Sequence, residues 1–142
     1  MPTFTHGDAQ DLLDAFKLGL ESRDPESIVN LFAPDGEYRE DPFAEPLVGS
    51  NVIRARWNEL AADQVHVEFD AERIWVSGET VLASWHAAYT RRQTAERVRV
   101  RGFMTLELDD ARLISRMRRW PAERVVGVDS TTRPELETAH GR

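Results

Sequence analysis

At 142 residues, with 41% hydrophobic and 30% charged side chains, the chain has the length and composition of one globular domain. It contains no cysteine, which excludes a disulfide framework, a thiolate nucleophile and any thiolate metal site. A net charge of −7 argues against nucleic acid as a partner, and no run approaches the roughly 18 apolar residues that a membrane span requires.

The charge is unevenly spread. Residues 1–80 carry 17 acidic and 6 basic side chains, whereas residues 81–142 carry 8 acidic and 12 basic. The two halves are expected to face each other, within one sheet or across a dimer. Of the 18 basic residues only Lys17 is lysine, so Schiff-base chemistry is confined to that amine. Met1 to Asp14 hold no basic region followed by an apolar run, so no signal peptide is expected and a cytoplasmic location follows by default.

In chain order, Ala9, Leu12, Leu13, Phe16 and Leu20 recur at helical spacing, behind acidic residues that suit a helix N-terminus, and predict a helix over 7–22. Asp24-Pro25 is a helix start signal, and Ile28, Val29, Leu31 and Phe32 predict a short second helix that Pro34-Asp35-Gly36 stops. Residues 37–41 read as a short strand. Gly49-Ser50 opens a third helix over about 51–62, burying Ile53, Trp57 and Leu60. From Val65 the period changes to two. Turns at Ser77-Gly78 and Asp109-Asp110 then separate strands over Val81 to Arg91, Arg97 to Leu108 and Arg112 to Trp120. Residues 1–128 are expected to form the domain, and the polar stretch 129–142 a disordered tail. Helices followed by long antiparallel strands predict an α+β fold, with a hollow between helices and sheet as the natural ligand site.

Chemistry-bearing residues are few. The four histidines lack metal-ligand spacing, no Gly-rich phosphate loop follows a strand, and no nucleophile elbow surrounds Ser84. Neither a metal nor a cofactor is implied. His86 shares a strand face with Leu82, Ser84 and Ala88, and can act as an acid or base, or as a packed, hydrogen-bonded strand residue. The opposite face carries Val81, Ala83, Trp85, Ala87 and Tyr89. Should that face point inward, Trp85 and Tyr89 line the hollow. Asp41, before Pro42, reads either as a turn former or as a chemical group. Arg116, Arg118 and Trp120 alternate on the last strand. One arginine there can enter the cavity and hold an anion, or the set can form a solvated ladder facing Glu68, Asp70 and Glu72. Arg97, Arg99 and Arg101 read the same way, with Val98 and Val100 inward.

The run LFAPDGEYREDPFAEPLVG, Leu31 to Gly49, resembles the bacterial ketosteroid isomerases and the wider SnoaL-like group of the nuclear transport factor 2-like fold. The likeness in element order extends over about residues 9–121. It implies a cone of three N-terminal helices packed in a curved antiparallel sheet around a pocket, and a homodimer. It also implies that Asp41 stands where those isomerases keep a proton-moving aspartate, and that Trp57 and Trp120 fall near aromatic pocket residues. The His86 face lines the pocket on this alignment. Phe16 replaces an oxyanion-donating tyrosine, and Met104 a protonated aspartate. Neither can donate a hydrogen bond, which argues against steroid isomerisation in its usual form.

Two readings follow. In the first, the chain is a cofactor-free isomerase, cyclase or hydratase acting on a small apolar molecule. Asp41 is then the base and His86 its partner. Phe16, Trp57, Met104 and Trp120 form the wall, and Arg118 is the anion anchor. In the second it is a ligand-binding or interaction domain without chemistry, or a structural dimer whose pocket its own side chains fill.

Overall fold

The computed structural model describes residues 3–128. Helix α1, His6–Glu21, starts in a capping box. The Thr5 hydroxyl accepts from the Asp8 N–H, and the Asp8 carboxylate accepts from the Thr5 N–H. Its apolar stripe of Ala9, Leu13 and Phe16 is buried against the sheet. Helix α2, Pro25–Val29, follows the Asp24 cap. Helix α3, Ser50–Asp63, opens at Gly49, whose φ of 94° a side chain would disfavour, and buries Ile53 and Trp57.

Six strands form one sheet in the order β2-β1-β6-β5-β4-β3. They are β1 Phe32–Arg39, β2 Leu47–Val48, β3 Gln64–Ser77, β4 Thr80–Arg91, β5 Glu96–Leu108 and β6 Ile114–Val128. The sheet is mixed rather than antiparallel, because β1 pairs with β6 in parallel. The architecture is therefore α+β, a curved mixed sheet with helices on its inner face.

Several boundaries differ from the sequence reading. The second helix ends at Val29, and Phe32 already belongs to β1. Pro34-Asp35-Gly36 does not separate two elements. It is absorbed as an irregularity inside β1, between the Phe32 and Glu37 pairings to β6. The last strand also runs past Trp120, and its final residues pair with β5 as far as Glu96↔Val128. The stretch 129–142, expected to be a tail, lies outside the described residues.

The inner face is set by the β4–β5 hairpin. Tyr89 pairs with Val98, Ala87 with Val100, Trp85 with Gly102 and Ala83 with Met104, and this set points toward the helices. Gly102 has a packing reason to be glycine. A β-carbon there would lie 2.6 Å from Trp85 Cζ2 and 2.9 Å from the Trp120 carbonyl oxygen. The Trp85 indole is thus laid on the β5 backbone. Gly102→Ala is expected to cost about 2 kcal/mol by overpacking, seen as a fall of several degrees in the thermal midpoint. A midpoint within one degree of wild type would show that the indole relaxes freely.

Candidate functional site

Between α1, α3 and the inner face lies a cavity of about 320 Å³. Its wall is mainly apolar, with Leu20, Trp57, Leu60, Val67, Phe69 and Trp85 prominent. Polar groups enter at two places. Glu40, Asp41, Arg56 and Arg119 stand together, Glu123 stands apart beside Tyr89, and Gln64, at the start of β3, is a further polar lining residue.

Arg119 organises the first group. It sits on the inward face of β6, opposite Met104, with its side chain only 12% exposed. Its guanidinium carbon lies 5.4 Å from the ring centroids of both Trp57 and Trp85 and 5.6 Å from that of Tyr38. This is cation–π geometry in a desolvated setting. Nε and Nη2 donate to the Tyr38 hydroxyl at 2.9 and 2.7 Å, and Nη2 also donates to Glu40 at 3.3 Å. The Tyr38 hydroxyl in turn donates to Glu40 Oε2 at 2.6 Å, and Arg56 Nε donates to Glu40 Oε1 at 2.7 Å.

Protonation states follow from this geometry. Burial pushes the Tyr38 phenol far above its ordinary value, so it remains a neutral donor. Burial alone would raise the Glu40 carboxyl. The Tyr38 hydrogen bond and the charges of Arg119 and Arg56 outweigh it and hold Glu40 below the usual carboxylate range. Glu40 is therefore an ionised group with both oxygens occupied, better suited to orienting its donors than to taking a proton. Burial opposes the Arg119 charge, but Tyr38 and Glu40 reverse that effect and its pKa is raised. At the second polar place, burial and the bond to Glu123 push the Tyr89 phenol up to about 12.

Asp41 is exposed and borders the same cavity. Its Oδ1 accepts from the Phe43 N–H at 2.9 Å, and its carbonyl accepts from the Ala44 N–H. The turn-forming role and a position at the cavity thus coexist. Trp57 lines the cavity. Phe16 stands behind the wall, edge-on to Trp57 and Phe69. Met104 is fully buried on the inner face.

Three candidates stand elsewhere. The expected orientation of β4 is inverted: Trp85, Ala87 and Tyr89 border the cavity, and His86 lies on the outer face beside Asp70 and Glu72. Arg118 and Trp120 also face outward. Arg118 approaches Glu107 at 3.8 Å, and Trp120 is 40% exposed. The inward arginine is their neighbour, Arg119. An arginine ladder does form outside, but Glu68 and Glu72 are met by Arg97 and Arg101, whereas Arg116 and Arg118 of the last strand pair with Glu107 instead. Tyr38, Glu40, Arg56 and Arg119 were missed by the sequence reading, although Tyr38 and Glu40 lie within the run that carried the resemblance. Among the described residues no cluster of three or more His, Asp or Glu side chains has the arrangement of a metal site. No described helix is long and apolar enough to cross a membrane.

The fold is thus a curved mixed sheet with helices over a mainly apolar cavity. The chain belongs to the SnoaL-like domain family, which matches residues 9–116. Among solved structures it is similar to SalBIII, an epoxide hydrolase/cyclase-like enzyme of pyran ring formation in polyether salinomycin. That likeness has a TM-score of 0.75 at 15% identity, over 84% of this chain and 97% of that one. It is similar also to an epoxide hydrolase from Mycobacterium tuberculosis, with a TM-score of 0.65 at 20% identity over 79% and 80% of the two chains. A Catenulispora acidiphila protein of ketosteroid isomerase-like fold, in complex with trimethylamine, gives 0.70 at 15% over 78% and 84%. At these identities the likeness is one of fold. No curated protein matches the chain.

Proposed function

We propose that this protein is a cofactor-free acid/base enzyme that opens or closes an oxygen-containing ring, adding an O–H nucleophile across an epoxide in a small, mostly apolar substrate. One observation carries the proposal: a buried guanidinium, Arg119, fixed among three aromatic rings in the same cavity that Asp41 borders. Asp41 takes the proton from water or from a hydroxyl of the substrate. The freed oxygen forms a bond to the epoxide carbon. The epoxide C–O bond breaks, and its electron pair goes to the departing oxygen. Arg119 stabilises the charge developing there, and protonated Asp41 or solvent returns the proton. Such preorganised donors in a desolvated site are worth far more than in water. The likeness of fold to SalBIII, of pyran ring formation, and to the mycobacterial epoxide hydrolase supports chemistry at an oxygen-containing ring.

The test is turnover of a panel of cyclic epoxides, hydroxy-epoxides and β,γ-unsaturated ketones. Conversion of an epoxide class is expected. Conversion of the ketones alone would replace ring chemistry by isomerisation. A second reading, a ligand-binding domain without chemistry, draws on the bond that Asp41 already makes to Phe43, and a panel wholly unconverted but bound would favour it.

We also infer a homodimer through the outer face of the sheet. There Trp75 and Phe103 are in ring contact at 6.0 Å, and Phe103 pairs with Trp120. Both tryptophans are 40% exposed, an apolar patch flanked by paired charges. Trp120→Glu is expected to halve the mass measured by sedimentation equilibrium. An unchanged mass would remove this face from consideration.

A further inference from the structure

The outer face of the sheet holds arginines in two settings. Toward β3 they are bonded: Arg97 donates to the His66 carbonyl at 2.8 Å and Arg101 to Glu72 at 3.1 Å. Between β1 and β6 they are not. There Arg39, Arg116 and Arg118 line one hollow of about 240 Å³, with Glu37 and Met117. None of the three donates a hydrogen bond to a described residue. Arg116 stands 3.7 Å from Glu37 and 3.5 Å from Glu107 Oε2, and Arg118 stands 3.8 Å from that same oxygen. Those are ion-pair distances only, and they bring the two guanidiniums together around one point. Arg39 makes no ion pair with a described residue.

The cluster is under-neutralised. Three guanidiniums meet two carboxylates, Glu37 and Glu107, so positive charge is left over. Arg39 and Arg118 are also register partners on neighbouring parallel strands, where like charges oppose each other at a cost. The hollow is separate from the cavity. Tyr38 and Arg119 face the cavity, and their chain neighbours Arg39 and Arg118 face the other way, so the sheet lies between the two places.

We infer that Arg39, Arg116 and Arg118 form a second binding site, for a phosphate group, either free phosphate or a phosphate monoester. A carboxylate has two oxygens, which one guanidinium fork satisfies. A phosphate monoester presents three terminal oxygens and close to two charges, which three forks from two adjacent strands match. An anion there would also relieve the repulsion between Arg39 and Arg118.

The experiment is titration calorimetry of the whole protein at constant ionic strength, above pH 7, with inorganic phosphate, phenyl phosphate and benzoate. Both phosphates are expected to saturate one site per chain, with benzoate at least about tenfold weaker. Arg39→Gln and Arg118→Gln should each weaken phenyl phosphate about tenfold, with the thermal midpoint checked for folding. Should either fail to fold, Arg39→Lys keeps the charge, loses the fork and should bind at intermediate strength. Arg101→Gln, in the other outer groove, should bind as wild type does.

Tighter binding of the ester would assign the site to a phosphate-bearing molecule, and equal binding to the free anion; both uphold it. Absence of saturable binding, benzoate as tight as phosphate, or loss in Arg101→Gln instead of Arg39→Gln would each overturn the inference. So would affinity that falls as protein concentration rises, since carboxylates of a second copy would then fill the hollow.

Discussion

Arg119→Met is expected to unfold about 10 °C below wild type in a thermal scan, a loss of about 3 kcal/mol. Methionine fills much of the same space between Trp57, Trp85 and Tyr38, so the loss is electrostatic and not a cavity effect. It strips two hydrogen bonds from the Tyr38 hydroxyl and one from Glu40, both of which remain in place. The pH dependence gives an independent reading. Glu40 is held below the usual carboxylate range, so its contribution to stability is present above its unfolded pKa and fades as pH falls through the lower folded value. Without Arg119 the burial effect gains ground, the folded pKa rises, and acid unfolding begins at higher pH. The double variant with Glu40→Gln should recover part of the loss, because it removes the carboxylate left underpaired. A single variant as stable as wild type would mean that the cluster orders the site without holding the fold.

Asp41→Asn is expected to lower turnover of a converted epoxide by about 10²–10⁴-fold, the usual worth of a positioned base. Its stability should stay within about 0.5 kcal/mol of wild type. Asparagine keeps the side-chain oxygen that accepts from the Phe43 N–H, so the turn survives while proton transfer does not. His86→Ala, on the outer face, is the matched control and should leave turnover as it was. Unchanged conversion by Asp41→Asn would remove Asp41 as the base and return the search to Glu40. Loss of folding with loss of activity would show that the turn geometry demands the charge.

The fold was legible because its signals are local. The Asp24 cap, the helical stripe through Phe16 and the period-two runs from Val65 each depend on neighbours a few residues away. The site was less legible because it depends on which face of a strand turns inward, and a shift of one residue exchanges the faces. The residues did contain the answer for β4. Val81, Ala83, Trp85, Ala87 and Tyr89 are uniformly apolar, whereas the His86 face is mixed, and the hairpin pairs Tyr89 with Val98, already read as inward. The alignment with the isomerases outweighed that signal. On β6 no such help existed. Arg118, Arg119 and Trp120 adjoin, and only the pairing of Arg119 with Met104 decides which side chain enters. The parallel contact of β1 with β6 was also invisible, since nothing in either segment announces a partner some eighty residues away.

The four tryptophans are divided by the sheet, Trp57 and Trp85 on the cavity side and Trp75 and Trp120 outside. The molecule therefore carries two sets of intrinsic fluorophores that report on different events. A quencher dissolved in water reaches the outer indoles, and subunit association through that face would shield them. The inner indoles, stacked against a guanidinium, would change their emission when the cavity fills. Occupancy and assembly can thus be followed in one cuvette without a label.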